Sequence, residues 1–227
     1  MPLTLGTLRT EDLTIGKCAA FYSAPAWDFD SNLHEDLTFL GYTEGPVRLV
    51  FNETYNALTT PEYTGDAQRK AFVQGQGPVA TLPLYLAKPE TRAIVSPTGS
   101  ASGGFRRQRP VATRSLVLIP EELFLDLNDP DLQTELSLEP NGSDWELGGD
   151  PLTTAQQRLL GLSAWLWKGY FRTPELGFNH ENAGKDVEPA EFVVMQHDDA
   201  PNGQQLFTRG DPYLSGIDIL EGIIPES

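Results

Sequence analysis

The stretch that decides the fold joins a polar turn to a short apolar strand, and it reads Leu40-Gly41-Tyr42-Thr43-Glu44-Gly45 and then, after Pro46, Val47-Arg48-Leu49-Val50-Phe51. In the second part Val47, Leu49 and Phe51 fall on one face, and Arg48 and Val50 on the other, as a half-buried strand requires. After a polar and acidic interval, a second unit of the same kind follows, which consists of the turn Gly75-Gln76-Gly77, Pro78 and an apolar run over 79–86. We predict that the two turns, at 40–45 and 75–77, launch two strands of one sheet.

The order and spacing of these two units resemble the first half of a siphophage major tail protein, the subunit of the tail tube. In that family a short Leu-Gly-x-Thr-x-Gly turn opens a strand, and a Gly-x-Gly turn opens a second strand of the same sheet. The resemblance covers about residues 14 to 87 of the 227. It implies a mainly β fold of two packed antiparallel sheets, a sandwich or partly closed barrel flanked by one α-helix, as a single domain over 1–227.

The same resemblance implies a structural virion protein and no enzyme. Homohexameric rings would stack into the hollow tail tube of a long-tailed bacteriophage, a siphovirus, and serve as a conduit for genome ejection. The partners would be further copies of the chain and other tail proteins at the tube ends, and DNA would pass without specific binding. No cofactor or metal is expected, and the location would be the virion tail, assembled in the host cytoplasm.

Composition agrees with such a conduit. The chain has 32 acidic and 16 basic residues, a net charge of −16 and a pI near 4.4. Phosphate binding needs Lys and Arg, so classical nucleic-acid binding is not expected, whereas a negative wall would let DNA slide. The alternative is that the acidity only keeps the protein soluble.

Two further features bear on compartment. The single cysteine, Cys18, allows no intrachain disulfide, and its apolar neighbours favour a small buried residue over a nucleophile. Residues 1–16 lack the apolar run of a signal peptide, and the apolar segment 159–167 is too short to cross a bilayer. We therefore expect a soluble protein with no membrane anchor.

The remaining chain consists of short apolar runs broken by Gly, Pro, Asn and Asp, which is typical of a β-sandwich or barrel. Besides strands at 47–51 and 79–86, we predict strands at 17–22, 115–119, 123–127, 134–138, 192–196 and 205–208.

One helix is predicted to begin near Thr153, which forms a capping-box pattern with Gln156. Apolar residues recur at helical spacing as far as Tyr170, and Gly169 and Pro174 mark the end. We expect this helix to pack across the sandwich or against a neighbouring subunit. Its apolar positions are Leu152, Ala155, Leu159, Leu160, Leu162, Ala164, Leu166, Trp167, Tyr170 and Phe171.

Charge is unevenly distributed. Residues 88–114 hold six of the 16 basic residues around a Gly/Ser-rich tract, so we predict a flexible basic loop at about 95–109. Residues 115–157 contain no Lys or Arg and form an acidic segment. A basic loop docking on the acidic face of the next subunit would propagate head to tail; the alternative is a disordered loop that balances local charge. The candidate inter-ring contacts are Arg106, Arg107 and Arg109, and the candidate acidic surface or lumen residues are Asp126, Asp129, Asp131 and Glu135.

Metal and catalytic motifs are weak. The stretch 126–131 resembles the start of a calcium loop, but Pro130 takes a ligand position and the required Gly is missing, so an acidic turn is favoured. His34, His180 and His197 lack zinc-site spacing, and 197–203 favours a hairpin tip. A nucleophile elbow and a phosphate loop are missing from the sequence. A catalytic carboxylate pair of the glycoside hydrolase kind stays open as an alternative, because among 32 acidic residues some pair always looks suitable for that role.

Aromatic residues leave a last alternative. A carbohydrate platform could be formed by Trp27, Phe29, Trp145, Tyr213 and others, although a loop anchor or intersubunit contact is favoured for Trp27. Trp165 and Trp167 are assigned to the core or interface of the helix. The competing functions are therefore another virion structural protein, either a capsid decoration or a distal tail protein, and a carbohydrate-binding domain.

Overall fold

The computed structural model describes residues 13–23, 25–27, 29, 37–51, 53–58, 70–85, 93–95, 112–124, 138–141, 144–172, 187–200 and 206–215. Within these residues the protein is mainly β, as the sequence predicts, with fourteen strands in three antiparallel sheets. The strands are β1 (Leu13–Ile15), β2 (Cys18–Ser23), β3 (Thr38–Tyr42), β4 (Val47–Val50), β5 (Glu53–Leu58), β6 (Lys70–Gln76), β7 (Val79–Tyr85), β8 (Arg114–Pro120), β9 (Leu138–Asn141), β10 (Asp144–Leu147), β11 (Asp150–Pro151), β12 (Ala164–Arg172), β13 (Val187–Val194) and β14 (Phe207–Arg209). The helices are α1 (Glu121–Phe124), α2 (Thr154–Leu160) and a 3-10 turn at Tyr213–Ser215.

The large sheet has the strand order β1-β4-β7-β13-β12-β8-β2-β3. Strand β14 also pairs with β12, on residues 164–166, whereas β13 pairs with residues 169–172. Strands β13 and β14 therefore lie end to end along β12. The two strands that flank the hairpin tip predicted at 197–203 share β12 as their partner and do not pair with each other, and residues 201–203 lie outside the described residues.

The two ends of this sheet approach one another. Thr43, just after β3, forms a single antiparallel bridge with Leu84 of β7, and the Glu44 N–H donates to the Pro83 carbonyl at 2.9 Å. These contacts bring β3 onto β7, so strands β7, β13, β12, β8, β2 and β3 form a partly closed barrel. Curling of this kind shelters strand edges that would otherwise be open.

Two prolines face each other in the middle of the barrel wall. Pro83 of β7 lies opposite Pro189 of β13. The Pro83 carbonyl points toward Glu44 and away from β13, which makes this a pair without mutual hydrogen bonds. Pro189 lies where its other neighbour, β12, has already ended at Arg172. Neither ladder therefore needs an N–H from either proline, which is how the sheet tolerates them.

Both faces are buried in the half of the sheet formed by β12, β8, β2 and β3, so these strands alternate between two apolar clusters. In β2, Cys18 and Ala20 face the barrel interior, whereas Ala19 and Phe21 face outward. The interior is filled by residues from most strands of the large sheet, which makes it a packed core. Its buried members are Cys18, Ala20, Leu40, Val47, Leu49, Ala80, Leu82, Leu84, Val95, Leu116, Leu118, Ala164, Leu166, Phe171, Ala190, Phe192 and Val194.

A β-bulge in β12 changes which residues face inward. Leu166 pairs with Leu116, but the next pair is Gly169 with Arg114, so β12 carries one extra residue. Because side chains alternate with a period of two, the extra residue reverses the pattern. Leu166 faces the interior before the bulge, and the odd-numbered Phe171 faces it afterwards.

The outer face is covered by a second layer. Leu138 of β9, Trp145 of β10 and Leu160 of α2 are buried in one cluster with Val117 and Trp165 of the large sheet. The small sheet β11-β10-β9 thus packs on the large one, and the predicted pair of packed antiparallel sheets is confirmed.

Some predicted boundaries are wrong. The capping box of Thr153 and Gln156 is present, but the helix it starts ends at Leu160, and the residues from Ala164 onward form β12. Residues 121–124, which overlap the predicted strand 123–127, form α1. Both predicted turns are shorter than the segments predicted for them. Residues 40–42 belong to β3, so only the end of the segment 40–45 is a turn. In the segment 75–77, Gly75 and Gln76 belong to β6.

Candidate functional site

The most distinctive surface of the described chain is a hairpin that continues the barrel ladder outward. In the barrel wall Val50 of β4 pairs with Val79 of β7. The next pair is Glu53 of β5 with Gln76 of β6. Two residues, 51–52 and 77–78, separate the pairs on each strand, so the register is unbroken. Strands β4-β5 and β6-β7 are therefore one long hairpin, of which β5 and β6 are the outer half.

Among the described residues, the neighbouring strands do not extend along the outer half. The last contact of β13 is the Val194 N–H with the Pro78 carbonyl, at 2.9 Å. On the other side β1 pairs with β4 no further than Leu49. Among the described residues β5 and β6 pair only with each other. A two-stranded ribbon is marginally stable alone in water, and its outer N–H and C=O groups are a template for another strand.

The hairpin carries one irregularity close to its base. The pair Glu53–Gln76 is followed by Thr54–Gln74, so β6 holds an extra residue at Gly75. A bulge increases the local twist and bends the strand that carries it. The Gly-rich segment 75–77, predicted only as a turn, thus marks the point where the ribbon leaves the barrel. Sequence analysis did not predict β5 or β6, although Thr54, Tyr55, Phe72 and Val73 are β-favouring residues.

On the opposite part of the fold, all four tryptophans of the chain form one buried layer on the outer face of the large sheet. Trp165 stacks on Trp167 with ring centroids 6.0 Å apart. Trp27 meets Trp167 edge-on at 5.4 Å, and Trp145 lies 6.0 Å from Trp165. Trp27 is 3% exposed and Trp145 is 4% exposed. A carbohydrate platform needs an exposed ring face, which neither residue offers.

The tryptophan layer also ties down β14 and the segment that follows it. One indole N–H donates to a residue of β14, a second donates to a residue of the following segment, and a third donates to a serine that itself donates to the Gly210 carbonyl. Buried indoles of this kind combine a large apolar contact with a directed bond. The donor and acceptor pairs are Trp145 with Asp211 (2.9 Å), Trp165 with Ser163 (3.0 Å) and Trp167 with Thr208 (3.0 Å).

Trp27 is the anchor of the segment after β2, one of the two roles favoured from sequence. Its N–H donates to Ser115 Oγ at 2.6 Å, and Ser115 Oγ donates to the Trp167 carbonyl at 2.5 Å. The Trp27 carbonyl accepts from His197 Nε2 at 2.6 Å. Since a carbonyl can only accept, the hydrogen of His197 lies on Nε2. This buried histidine is therefore bound into the packing of the loop.

Cys18 occupies the corner where β2, β3 and α1 meet. It is fully buried, and its thiol donates to the Gly16 carbonyl at 3.1 Å. Burial, and then the nearby Glu121 carboxylate, raise the pKa of Cys18 from 9.0 to about 12. The same two causes raise the pKa of Tyr42. A thiol that stays protonated at neutral pH is a poor nucleophile, so the interpretation of Cys18 as a buried packing residue is confirmed.

The charged residues singled out from sequence lie outside the described residues. This applies to the candidate contact loop with Arg106, Arg107 and Arg109, and to the acidic residues Asp126, Asp129, Asp131 and Glu135. Part of the acidic segment 115–157 is described. Glu122, Asp144 and Asp150 are exposed there, and Glu121 and Glu146 are half-buried.

The described residues also bear on metal binding and on membrane crossing. Within the described ranges, His, Cys, Asp and Glu side chains do not gather in a group of three that could hold a metal ion. In the same ranges no helix has the length and apolar character that crossing a membrane requires. Comparison of the chain with protein-family models, with curated proteins and with solved structures gives no significant match.

Proposed function

We propose that this protein is a self-assembling structural subunit, the tail tube protein of a long-tailed phage. The observation that carries the proposal is the outer hairpin of β5 and β6. It keeps the register of β4 and β7, and among the described residues it extends beyond β1 and β13. A ribbon built this way suits strand addition between chains, in which backbone hydrogen bonds supply affinity.

Burial elsewhere supports contact through edges. The barrel interior is filled by one apolar cluster, and a second covers the outer face of β12, β8, β2 and β3. A subunit whose faces are covered there, with a ribbon that is open among the described residues, joins its neighbours through strand edges, and a closed ring then satisfies every edge. Rings that stack give a tube, and a homohexamer is the ring that the resemblance implies.

Charge supports the conduit role. At −16 the subunit would present a strongly acidic wall to passing DNA, and six copies in a ring would multiply the effect. Repulsion lowers the residence of phosphate on the wall, because binding requires cationic side chains. The tube would be located in the virion tail, with other tail proteins bound at its two ends.

Electron microscopy of the purified, negatively stained protein tests this proposal. Rings or tubes with a central hole are expected as the concentration rises, and light scattering after gel filtration should give the mass of a ring. A trimer that never stacks would favour a capsid decoration protein instead. A monomer at all concentrations would overturn self-assembly.

The basic loop has its own test. Deletion of residues 99–109 is expected to leave rings that no longer stack, because Arg106, Arg107 and Arg109 would contact the acidic face of the next ring. Tubes of unchanged length from the deletion variant would refute this role of the loop.

A further inference from the structure

The second layer covers one side of the barrel, and among the described residues the opposite side has no such cover. Helix α2 and the small sheet pack on the outer face of β12, β8, β2 and β3. In the barrel order β7-β13-β12-β8-β2-β3, strands β7 and β13 stand across from β8 and β2. The described outward side chains of β4, β7 and β13 belong to neither apolar cluster. The covered and uncovered faces therefore lie on opposite sides of the barrel.

An apolar row crosses the uncovered face. The register aligns one residue from each of four strands, because Tyr170 pairs with Val193, Val193 with Val79, and Val79 with Val50. All four are half-buried. Since neighbouring strands are about 4.8 Å apart, the row is about 14 Å long. An apolar row on an outer face suits contact with another protein.

A charged row runs beside the apolar one on the same face. Arg172 pairs with Glu191, Glu191 with Thr81, and Thr81 with Arg48. Arg172 and Glu191 form an ion pair, and both arginines are exposed. Two arginines and one glutamate give this row a charge of +1 on a chain whose net charge is −16. The two rows together, named the outer band, are thus a cationic and apolar surface on an acidic protein.

The second layer presents apolar groups on the other side of the barrel. Leu214 is 88% exposed and Leu162 is 47% exposed, which makes them the two most exposed large hydrophobic residues that the structure describes. The segments that carry them are joined, because the Gly210 N–H donates to the Ser163 carbonyl at 2.8 Å. Both leucines therefore belong to one side of the subunit.

Carboxylates accompany these leucines. Leu214 follows Tyr213, whose ring packs on Trp145 of β10 with centroids 5.4 Å apart. Trp145 is buried, whereas Asp144 and Asp150 of the same small sheet are exposed. Residues 144–151 contain three acidic residues and no Lys or Arg. The second-layer patch, defined by Leu162, Leu214, Asp144 and Asp150, is therefore apolar and anionic.

We propose that the outer band of one copy docks on the second-layer patch of the next copy. The apolar row would cover the exposed leucines, and the arginines of the band would face the carboxylates of the patch. Complementary charge identifies the occupant, because a further copy of this acidic chain brings an anionic surface to a cationic band. Contacts between unlike surfaces on opposite sides of a subunit run head to tail and give a ring when the rotation closes.

The outer band adjoins the outer hairpin. The apolar row ends at Val50 and Val79, and the hairpin begins with the pair Glu53–Gln76 on the same two strands. Band and hairpin are thus one continuous stretch of surface that faces a single neighbour. This contact rests on the proposed function, since it takes self-assembly as given and names the surfaces that meet.

Charge changes on each surface test the contact by light scattering after gel filtration over a series of concentrations. Arg48→Glu on the band and Leu214→Glu on the patch alter exposed residues, so the fold should stay intact, which urea denaturation checks. Each should raise the concentration at which half of the protein is assembled by about tenfold, because a new carboxylate then opposes the neighbouring copy. Lys17→Glu makes the same charge reversal at an exposed residue outside both surfaces and should leave that concentration unchanged.

A mixture of the two variants tests the head-to-tail arrangement. The Arg48→Glu protein keeps an intact patch, and the Leu214→Glu protein keeps an intact band. At a concentration where each variant alone is monomeric and the native protein is assembled, the mixture should give dimers with one copy of each. Larger assemblies should not form, because each copy has one working surface. Native mass spectrometry measures the composition of the dimers.

The contact is overturned if both variants assemble at the same concentration as the native protein, if Lys17→Glu weakens assembly as much as they do, or if their mixture stays monomeric. In these cases the native protein still assembles, so the proposed function stands. A native protein that stays monomeric at every concentration removes the proposed function and this contact together.

Discussion

Glu53 lies directly opposite Gln76, three residues along each strand beyond Val50 and Val79, the last pair of β4 with β7. The pair keeps the register of the wall, so the ribbon it opens is an extension of the barrel and takes its direction from it. A rigid base of this kind fixes where the open backbone groups of β5 and β6 point. The proposed assembly depends on that geometry.

The bulge in β12 makes Gly169 the least replaceable glycine in the described fold. A Cβ at this position would overlap the Phe192 ring and the Val193 carbonyl oxygen, and a backbone atom cannot move aside cheaply. Gly169→Ala is expected to lower the free energy of unfolding by about 3 kcal/mol, measured by urea denaturation. Gly77→Ala is the matched control, because a Cβ there meets no atom within 4 Å. Equal urea concentrations at the unfolding midpoints of the two variants would contradict this description of the bulge.

The Ser115 hydroxyl joins two segments of backbone. It accepts from the Trp27 N–H and donates to the Trp167 carbonyl in a fully buried position. Ser115→Ala removes both bonds and should cost about 1 kcal/mol, because the Trp27 N–H keeps a direct bond to the Trp167 carbonyl at 3.3 Å. Tryptophan emission should shift to longer wavelength as the segment of Trp27 loosens. Thr153→Ala, which removes an exposed helix cap and leaves both bonds of Ser115 intact, should cost about 1 kcal/mol.

The buried thiol of Cys18 predicts an alkaline weakness. Its pKa is raised from 9.0 to about 12 in the folded protein, so the folded state favours the neutral form. The stabilisation is complete below pH 9 and is lost as pH rises toward 12, with a slope of at most about 1.4 kcal/mol per pH unit. The free energy of unfolding, measured by urea denaturation between pH 8 and pH 11, should therefore fall more steeply with rising pH for the native protein than for Cys18→Ala. Parallel curves would contradict the assignment.

Cys18 also reports on folding directly. Its burial predicts that iodoacetamide at pH 8 labels the thiol only after unfolding in urea. Mass spectrometry of the labelled protein measures this. Rapid labelling without urea would show that the corner between β2, β3 and α1 opens.

The sequence predicts the turn-and-strand units well where one face of the strand is polar. Val47–Val50 alternates between buried and exposed residues, and its strand is found at the predicted place. Strand β12 is different because both its faces are buried, so Ala164 to Trp167 reads as a continuous apolar run. Such a run has no period of two, and its chance spacing with Leu159 and Leu162 imitates a helix. The aromatic content of β12 was the signal for a strand.

The candidate site was less accessible to sequence analysis. The charged residues proposed from composition, such as Arg107 and Asp129, lie outside the described residues and stay predictions. The hairpin was missed because β5 and β6 mix Asn, Gln and Gly with their apolar residues, which hides their alternation. The hairpin is recognised as an extension of β4 and β7 only from the register of its strands, and the pairing of Glu53 with Gln76 depends on residues far apart in the chain.

The central claim is that the outer hairpin joins copies of this protein. Replacing residues 51–78 with Asn-Gly would connect Val50 to Val79 by a tight hairpin turn and keep the ladder of β4 with β7. Light scattering after gel filtration, run on both proteins at one high concentration, is the most direct measurement. The account predicts ring-sized or larger assemblies for the native protein and a folded monomer, with native tryptophan emission, for the shortened one. Assemblies of equal mass from both proteins, or a monomer from the native protein, would contradict it.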